Sequence, residues 1–469
     1  MKNIFLLILL FSSTWAGSVD LGEELPIISV LPFLGILFSI AIVPLLKPDF
    51  WHRNFGKISM FWALLFLIPF SFKFGVNETI HQFLHVILLE YIPFIILLFS
   101  LFTISGGIRL KGTLIGTPKL NAILIVIGTF LASWMGTTGA AMLLIRPLIR
   151  ANMYRQYNVH TIIFFIFLVG NIGGSLTPLG DPPLFLGFLN GVDFFWTTST
   201  MLLPMLFCTI ILIILYYFMD GYFYKKEKHI LKEVAHKEKI SVEGKINMIL
   251  IFGVIFSVLL SGIWKPNILI PEIAGIHLEI QNIIRDILLF LLGISSLIIT
   301  PKITRKENGF TWFPIVEVSK LFAGIFVTII PAISLLKSGI QGKLGFLIKM
   351  LNDSNGEPIN LIYFWITGIL SSLLDNAPTY LVFFNIAGSS SVDTSIADYL
   401  MNSAPNTLLA ISMGSVFMGA MTYIGNAPNF MIKSISEENN IKMPSFFGFM
   451  IWSILFLIPT YFIIGLIFL

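Results

Sequence analysis

The sequence predicts an all-α polytopic membrane protein built as inverted repeats, with about ten transmembrane helices plus two re-entrant hairpins and two broken helices. Four observations carry this. Of 469 residues, 56% are hydrophobic and only 12% are charged, about half the charged share of a soluble domain. The apolar residues fall in runs of about 20, the length of one helical crossing, and the short alternating segments of a membrane β-barrel do not dominate. Deep in one apolar run lies Gly170-Asn-Ile-Gly-Gly-Ser-Leu-Thr-Pro-Leu-Gly-Asp-Pro-Pro-Leu-Phe185, too rich in glycine and proline to continue a helix. Finally, Thr177-Pro-Leu-Gly-Asp-Pro-Pro-Leu-Phe185 aligns without a gap to Thr422-Tyr-Ile-Gly-Asn-Ala-Pro-Asn-Phe430, with Asp181 opposite Asn426. Irregular backbone at membrane depth is tolerated only inside protein or along a cavity. Broken segments at matching positions of two halves point to a transport site.

The elements follow in order. Residues 1–18 have the pattern of a signal peptide: Lys2, an apolar core from Ile4 to Phe11, and a small-residue exit. The first repeat covers 26–220. Pro26 to Leu46 is a first span, and the following Lys47, His52, Arg53 and Lys57 read as a cytoplasmic loop. Ile58 to Phe74 crosses outward and Phe83 to Ile104 crosses back. His81 and His85 share a helix face there, but no third metal ligand accompanies them. Segment 120–150 has basic residues on both flanks, Lys111 and Lys119 before and Arg150 and Arg155 after. A single crossing has opposite flanks, so this is read as a hairpin entering from the cytoplasm, with Thr137 and Thr138 at its tip. The first broken helix is 161–190, and Ser199 to Met219 returns. Residues 221–245 are a Lys-rich cytoplasmic linker.

The second repeat covers 246–469. Ile246 to Trp264, Ile283 to Thr300 and Ile315 to Leu336 cross in turn, and Ser338 to Met350 reads as an amphipathic surface helix. Segment 361–385, centred on Leu374-Asp-Asn-Ala-Pro-Thr379, has no Lys or Arg between Lys349 and Lys433, and acidic residues flank it. That is the signature of a hairpin entering from outside. The second broken helix is 407–432 and Phe446 to Leu469 is the last span. The charge distribution places both termini outside and the linker inside. Reporter fusions at Lys239 and Leu469 are therefore expected to give opposite sidedness, and equal sidedness would overturn the topology.

Four breaks should converge near the midplane. The candidate ion- or substrate-binding residues on them are Thr137, Thr138, Thr177, Gly180, Asp181, Asp375, Asn376, Thr379, Thr422, Gly425 and Asn426. No Arg or Lys lies within these motifs. Two carboxylates with hydroxyl and amide oxygens suit a hard monovalent cation or protons, and Asp375, Asn376, Thr422 and Asn426 form the candidate sodium set. Each carboxylate could instead cap a helix or close a turn before proline. Asp375 is expected to carry the coupling. Asp181 is expected to matter less if it only caps, because its partner Asn426 is already neutral; opposite Asp375 stands Gly136. Other classes fare poorly. Pro178-Leu-Gly-Asp181 lacks the first glycine of the aspartyl-protease Gly-x-Gly-Asp motif. There is no His-Glu-x-x-His and no P-loop, so the chain reads as a non-enzyme. The single Cys208 leaves no disulfide, and the net charge of +4 serves topology rather than nucleic-acid binding.

These residues resemble the ion transporter superfamily that includes arsenite permeases, citrate and dicarboxylate carriers and NhaD-type sodium/proton antiporters, over nearly the whole chain from Pro26. The resemblance implies a hairpin and a broken helix per half. It carries the tip motif to Gly136-Thr-Thr-Gly139 and Asp375-Asn-Ala-Pro378, and the unwound motif to Thr177–Pro183 and Thr422–Pro428. The form is closest to the branch described both as citrate transport and as sodium/proton antiport. The first tip carries neither the Ser-Asn-Thr of dicarboxylate carriers nor the Asp-Asn of the NhaD type. The resemblance implies a multi-pass secondary transporter of the bacterial inner (plasma) membrane. It would have lipid as its surroundings, sodium and protons or a carboxylate as cargo, no bound cofactor, and a homodimeric assembly. Two buried carboxylates would repel a citrate trianion unless cations screened them, so cation/proton antiport leads and cation- or proton-coupled citrate transport follows.

Overall fold

The computed structural model describes residues 21–227, 238–266, 268, 270, 272–391 and 394–469. The signal-peptide segment and 228–237 of the linker lie outside the described residues. The fold is helical, as expected, apart from one short two-stranded ribbon, with α1 (Leu31–Leu46), α2 (Pro48–Phe74) and α3 (Val76–Ser105) in the first repeat. Then come α4 (Pro118–Met135), α5 (Thr137–Ala151), α6 (Val159–Leu168), α7 (Pro182–Leu189) and α8 (Trp196–Lys226). The second half has α9 (Ile246–Ile263), α10 (Ile280–Ile299), α11 (Phe313–Lys337), α12 (Asn360–Leu374) and α13 (Asn376–Ala387). It ends with α14 (Pro405–Met418), α15 (Ala427–Glu438) and α16 (Phe446–Phe468). Among the described residues nine helices are long and apolar enough to cross a membrane. The broken helices are not among them because each arm is too short by itself.

Segment 120–150 is a hairpin in the structure. Its base closes on itself: Asn121 Nδ2 donates to Asn152 Oδ1 and Asn152 Nδ2 to Asn121 Oδ1, both at 2.8 Å. One long helix would hold these residues about 45 Å apart. The turn between the arms is Gly136, at φ 80° and ψ 148°, a conformation that glycine adopts without cost. In the second hairpin the same turn is made by Asp375, at φ 85° and ψ 142°. A side chain held in that region costs on the order of 1–3 kcal/mol. The two hairpins therefore share backbone geometry although one turns on glycine and the other on aspartate.

The broken helices form the interior. Residues 160–181 are buried without interruption. After α6 the chain makes a 3-10 turn, Ile172–Ser175, then runs irregularly to Asp181, where Pro182 opens α7. The twin makes a 3-10 turn at Gly419–Met421 and restarts at Ala427. Asp181 (φ −143°, ψ 143°) and Asn426 (φ −153°, ψ 139°) hold the same extended conformation. In contrast, α2, α9 and α10 turn large apolar side chains such as Phe61, Phe252 and Phe290 outward.

Four expectations need correction. Lys47–Lys57 is not a loop: α2 begins at Pro48, so His52, Arg53 and Lys57 ride on its first turns, where long cationic side chains can reach the interface. The linker is not a bare connector: α8 runs on to Lys226, and β2 (Ser241–Glu243) pairs antiparallel with β1 (Arg109–Lys111). Arg109 closes this ribbon onto Glu243 at 3.1 Å and also meets Glu307. Ser338–Met350 is not one amphipathic helix but a 3-10 turn, Gly339–Gln341, and a seven-residue helix, Gly345–Leu351. Lys343 Nζ reaches the carbonyls of Glu23 and Leu25 at 2.6 Å. Lastly, an unforeseen helix, Ile396–Asn402, meets α14 at 103°.

Candidate functional site

The four breaks meet at Asp181. Its Oδ1 accepts from Thr137 Oγ1 at 3.2 Å and from Asn426 Nδ2 at 2.9 Å. Its Oδ2 accepts a short hydrogen bond from Asn376 Nδ2. Thus one carboxylate is touched by the first hairpin tip, the second hairpin tip and the second broken helix. Asp181 is buried, 2% exposed, and makes no capping bond to its own helix. A buried carboxylate requires such donors, since unpaired it would lose its hydration without replacement.

The remaining candidates hold the breaks in place. Thr137 N donates to Gly180 O at 2.9 Å, which docks the first tip on the unwound segment. Thr177 Oγ1 donates to Ser133 O and Thr422 Oγ1 to Ser372 O, the same contact in each half. Thr422 Oγ1 also accepts from Ile424 N and Gly425 N, at 3.2 and 3.1 Å, so the turn engages this hydroxyl fully. Thr138 is half-buried on the first turn of α5. Thr379 Oγ1 donates back to Asp375 O at 2.8 Å.

The two carboxylates sit differently on their breaks. Asp375 is the cap: its Oδ1 accepts from Ala377 N at 3.1 Å. Its φ of 85° turns the side chain back onto α13, whereas the extended backbone of Asp181 projects its side chain across the interface. Asn376 and Asn426 aim their amides at Asp181, and Thr422 serves the turn.

Glycines let these backbones approach. A Cβ on Gly180 would lie 2.1 Å from Gly174 O, and one on Gly425 would lie 2.6 Å from Gly419 O. Both obstacles are backbone and cannot step aside. Gly180→Ala is therefore expected to destabilise the fold by about 1–3 kcal/mol, with Gly425→Ala milder. Thermal unfolding of the purified variants checks this, and equal melting temperatures for Gly180→Ala and wild type would refute it.

Sequence reasoning missed several residues. Asn171 Nδ2 donates to Asn429 Oδ1 at 2.7 Å, and Asn426 Nδ2 also reaches Asn171 Oδ1 at 3.3 Å. This Asn ladder joins the two broken helices beside Asp181. Glu90 and Asp220, carboxylates inside apolar runs, were passed over although an intramembrane acid is a functional hypothesis by default. Glu90 sits on a π-helical turn of α3, Ile87–Tyr91, with its Oε2 buried and no hydrogen-bond partner among the described residues. Asp220 anchors a cluster at the base of the first hairpin. Its Oδ1 lies 2.7 Å from Arg155 NH1 and 2.8 Å from His160 Nε2, and its Oδ2 accepts from Tyr216 OH at 2.9 Å.

The chain is similar to known sequences over nearly its full described length. The family described as "Putative citrate transport" matches residues 22–469. Two relatives, an uncharacterized transporter of Mycobacterium bovis and one of Mycobacterium tuberculosis, are each 23% identical over 335 residues, covering 69% of this chain and 70% of the relative. With its apolar helices and its paired broken motifs, this chain is a multi-pass membrane transporter and belongs to that family, within the ion transporter superfamily.

Proposed function

We propose that this protein is a secondary active cation/proton antiporter, with sodium as the leading cation, in the inner (plasma) membrane of a bacterium. The observation that carries the reading is Asp181, one carboxylate held by neutral donors from three other motifs. Neutral amide and hydroxyl groups supply no positive charge to grip an organic polyanion. They do supply oxygens to a hard cation. Turning the Asn376 or Asn426 amide about its terminal bond exchanges its donor for its acceptor. The same residues then serve a charged carboxylate alone or a carboxylate paired with a cation. A proton and a cation compete for the Asp181 oxygens, and that competition is the coupling. Asp375, on the neighbouring tip, adds a second carboxyl group to the region.

A second reading, citrate or another carboxylate carried with cations or protons, is favoured by the description of the family. Purified protein in proteoliposomes separates the two. An imposed sodium gradient is expected to drive proton movement, read with an internal pH dye, without added carboxylate. Gradient-dependent uptake of labelled citrate with no such proton movement would replace antiport by the carrier reading.

A further inference from the structure

Two cavities adjoin at the basic ends of α2 and α11. The first, of about 500 Å³, is lined by His52, Arg53, Lys57 and Lys320, with Phe55 and Phe313 in its wall. The second, of about 400 Å³, is apolar, between Phe99 of α3, Phe290 of α10, Trp312 just before α11 and Ile315 of α11. Val316 and Lys320, one turn apart on α11, line both, so a single rib separates a cationic basin from an apolar trough. Arg53, Lys57 and Lys320 are exposed, and among the described residues none is paired with a carboxylate. The neighbouring acid, Glu317, accepts from Trp51 Nε1 at 3.1 Å. Lys320 Nζ lies 5.5 Å from the Phe55 ring centroid, which fixes its charge over the basin.

We propose that these joined cavities are a binding site for an anionic phospholipid. The phosphodiester headgroup lies among Arg53, Lys57 and Lys320, and an acyl chain lies in the trough over Phe290 and Trp312. Charge complementarity selects the headgroup, because basic pockets between membrane helices hold anionic lipid heads. Lys320 is seven residues into α11, about 10 Å along its axis, where it borders both the basin and the trough. A soluble anion would use the basin and leave the trough without a role. The site also borders the helix that follows the second break. The His52 ring is 6.4 Å from that of Phe430, which lies on α15 four residues after Asn426.

The test uses the full-length protein, stripped of lipid in neutral detergent and offered phosphatidylglycerol or phosphatidylcholine of identical chains, with bound lipid read by native mass spectrometry. Wild type is expected to retain phosphatidylglycerol in preference by about fivefold or more, the effect of a single interfacial cation. Millimolar inorganic phosphate should not displace it. The variant Arg53→Gln/Lys57→Gln/Lys320→Gln should lose the preference. Val316→Trp, which fills the rib and leaves the charges, should lower retention. Equal retention of the two lipids by wild type would overturn the site. So would displacement by inorganic phosphate, which would identify a soluble-anion pocket. Both of these measurements need no variant.

Discussion

Asp181→Asn is expected to reduce sodium-driven proton flux by at least about tenfold while the protein remains folded. The estimate follows from the hydrogen bonds. Bonds to a charged group contribute about 1.5–3 kcal/mol each, and about 1.4 kcal/mol is tenfold in an equilibrium. Three such bonds converge on Asp181, from Thr137, Asn376 and Asn426. Asparagine keeps the shape and one acceptor, and its new amide can be met if Asn376 turns its own oxygen inward. Folding is therefore preserved while the group able to exchange a proton for a cation is gone. Asp181→Ala is different, because it takes away the acceptor of the buried Thr137 hydroxyl and Asn376 amide and should also destabilise. Asp375→Asn is expected to be gentler: asparagine tolerates positive φ and its oxygen can still accept from Ala377 N. Proteoliposomes with each variant, an imposed sodium gradient and a pH dye inside give the comparison. Full flux from a folded Asp181→Asn protein would end the mechanism, and loss in Asp375→Asn alone would restore the order of importance expected from sequence.

The largest effect on stability is expected at Asp220. This side chain is buried completely and joins α8 to the first hairpin and the start of α6. Besides Arg155, His160 and Tyr216 it accepts from Asn121 Nδ2 at 3.2 Å. Arg155 continues the cluster to Glu227, 3.1 Å from its Nε. Removing one partner of a buried ion pair leaves the other charge uncompensated and costs on the order of 3–5 kcal/mol. Asp220→Ala should therefore lower the melting temperature of the purified protein strongly, and Asp220→Asn, which keeps an acceptor, should lower it less. If Asp220→Ala melted with wild type, the cluster would not be holding the hairpin base.

Much of this architecture was legible because glycine and proline punctuate apolar sequence at only a few places. The paired Thr-x-x-Gly-[Asp/Asn]-x-Pro-x-Phe motifs located the breaks in both unwound segments. The elements that were misjudged have weaker local signals. His52, Arg53 and Lys57 look like a loop because the sequence does not say whether cationic side chains sit in solvent or lie along a helix start. Strands of three residues, such as those at 109–111 and 241–243, have no periodicity to detect. The Asp220 cluster draws on positions 121, 155, 160, 216 and 227, which only the packing of α8 against the hairpin brings together.

By itself, the sequence determined the class, the family and the four breaks, since apolar run length, helix breakers and repeated spacing are properties of the linear chain. The tertiary structure decided which carboxylate faces the other motifs. Both acids stand at a break before a proline-bearing helix; Pro182 directly after Asp181 biases that residue to extended backbone, but which motifs either side chain meets is not written locally. Asp375 occupies the turn itself, at φ 85°, so its side chain folds back to cap α13. Asp181 stands one step beyond its unwound segment in extended backbone, so its side chain reaches across to Thr137, Asn376 and Asn426. A side chain's direction follows the backbone that carries it, and that backbone was set by the packing of one repeat against the other.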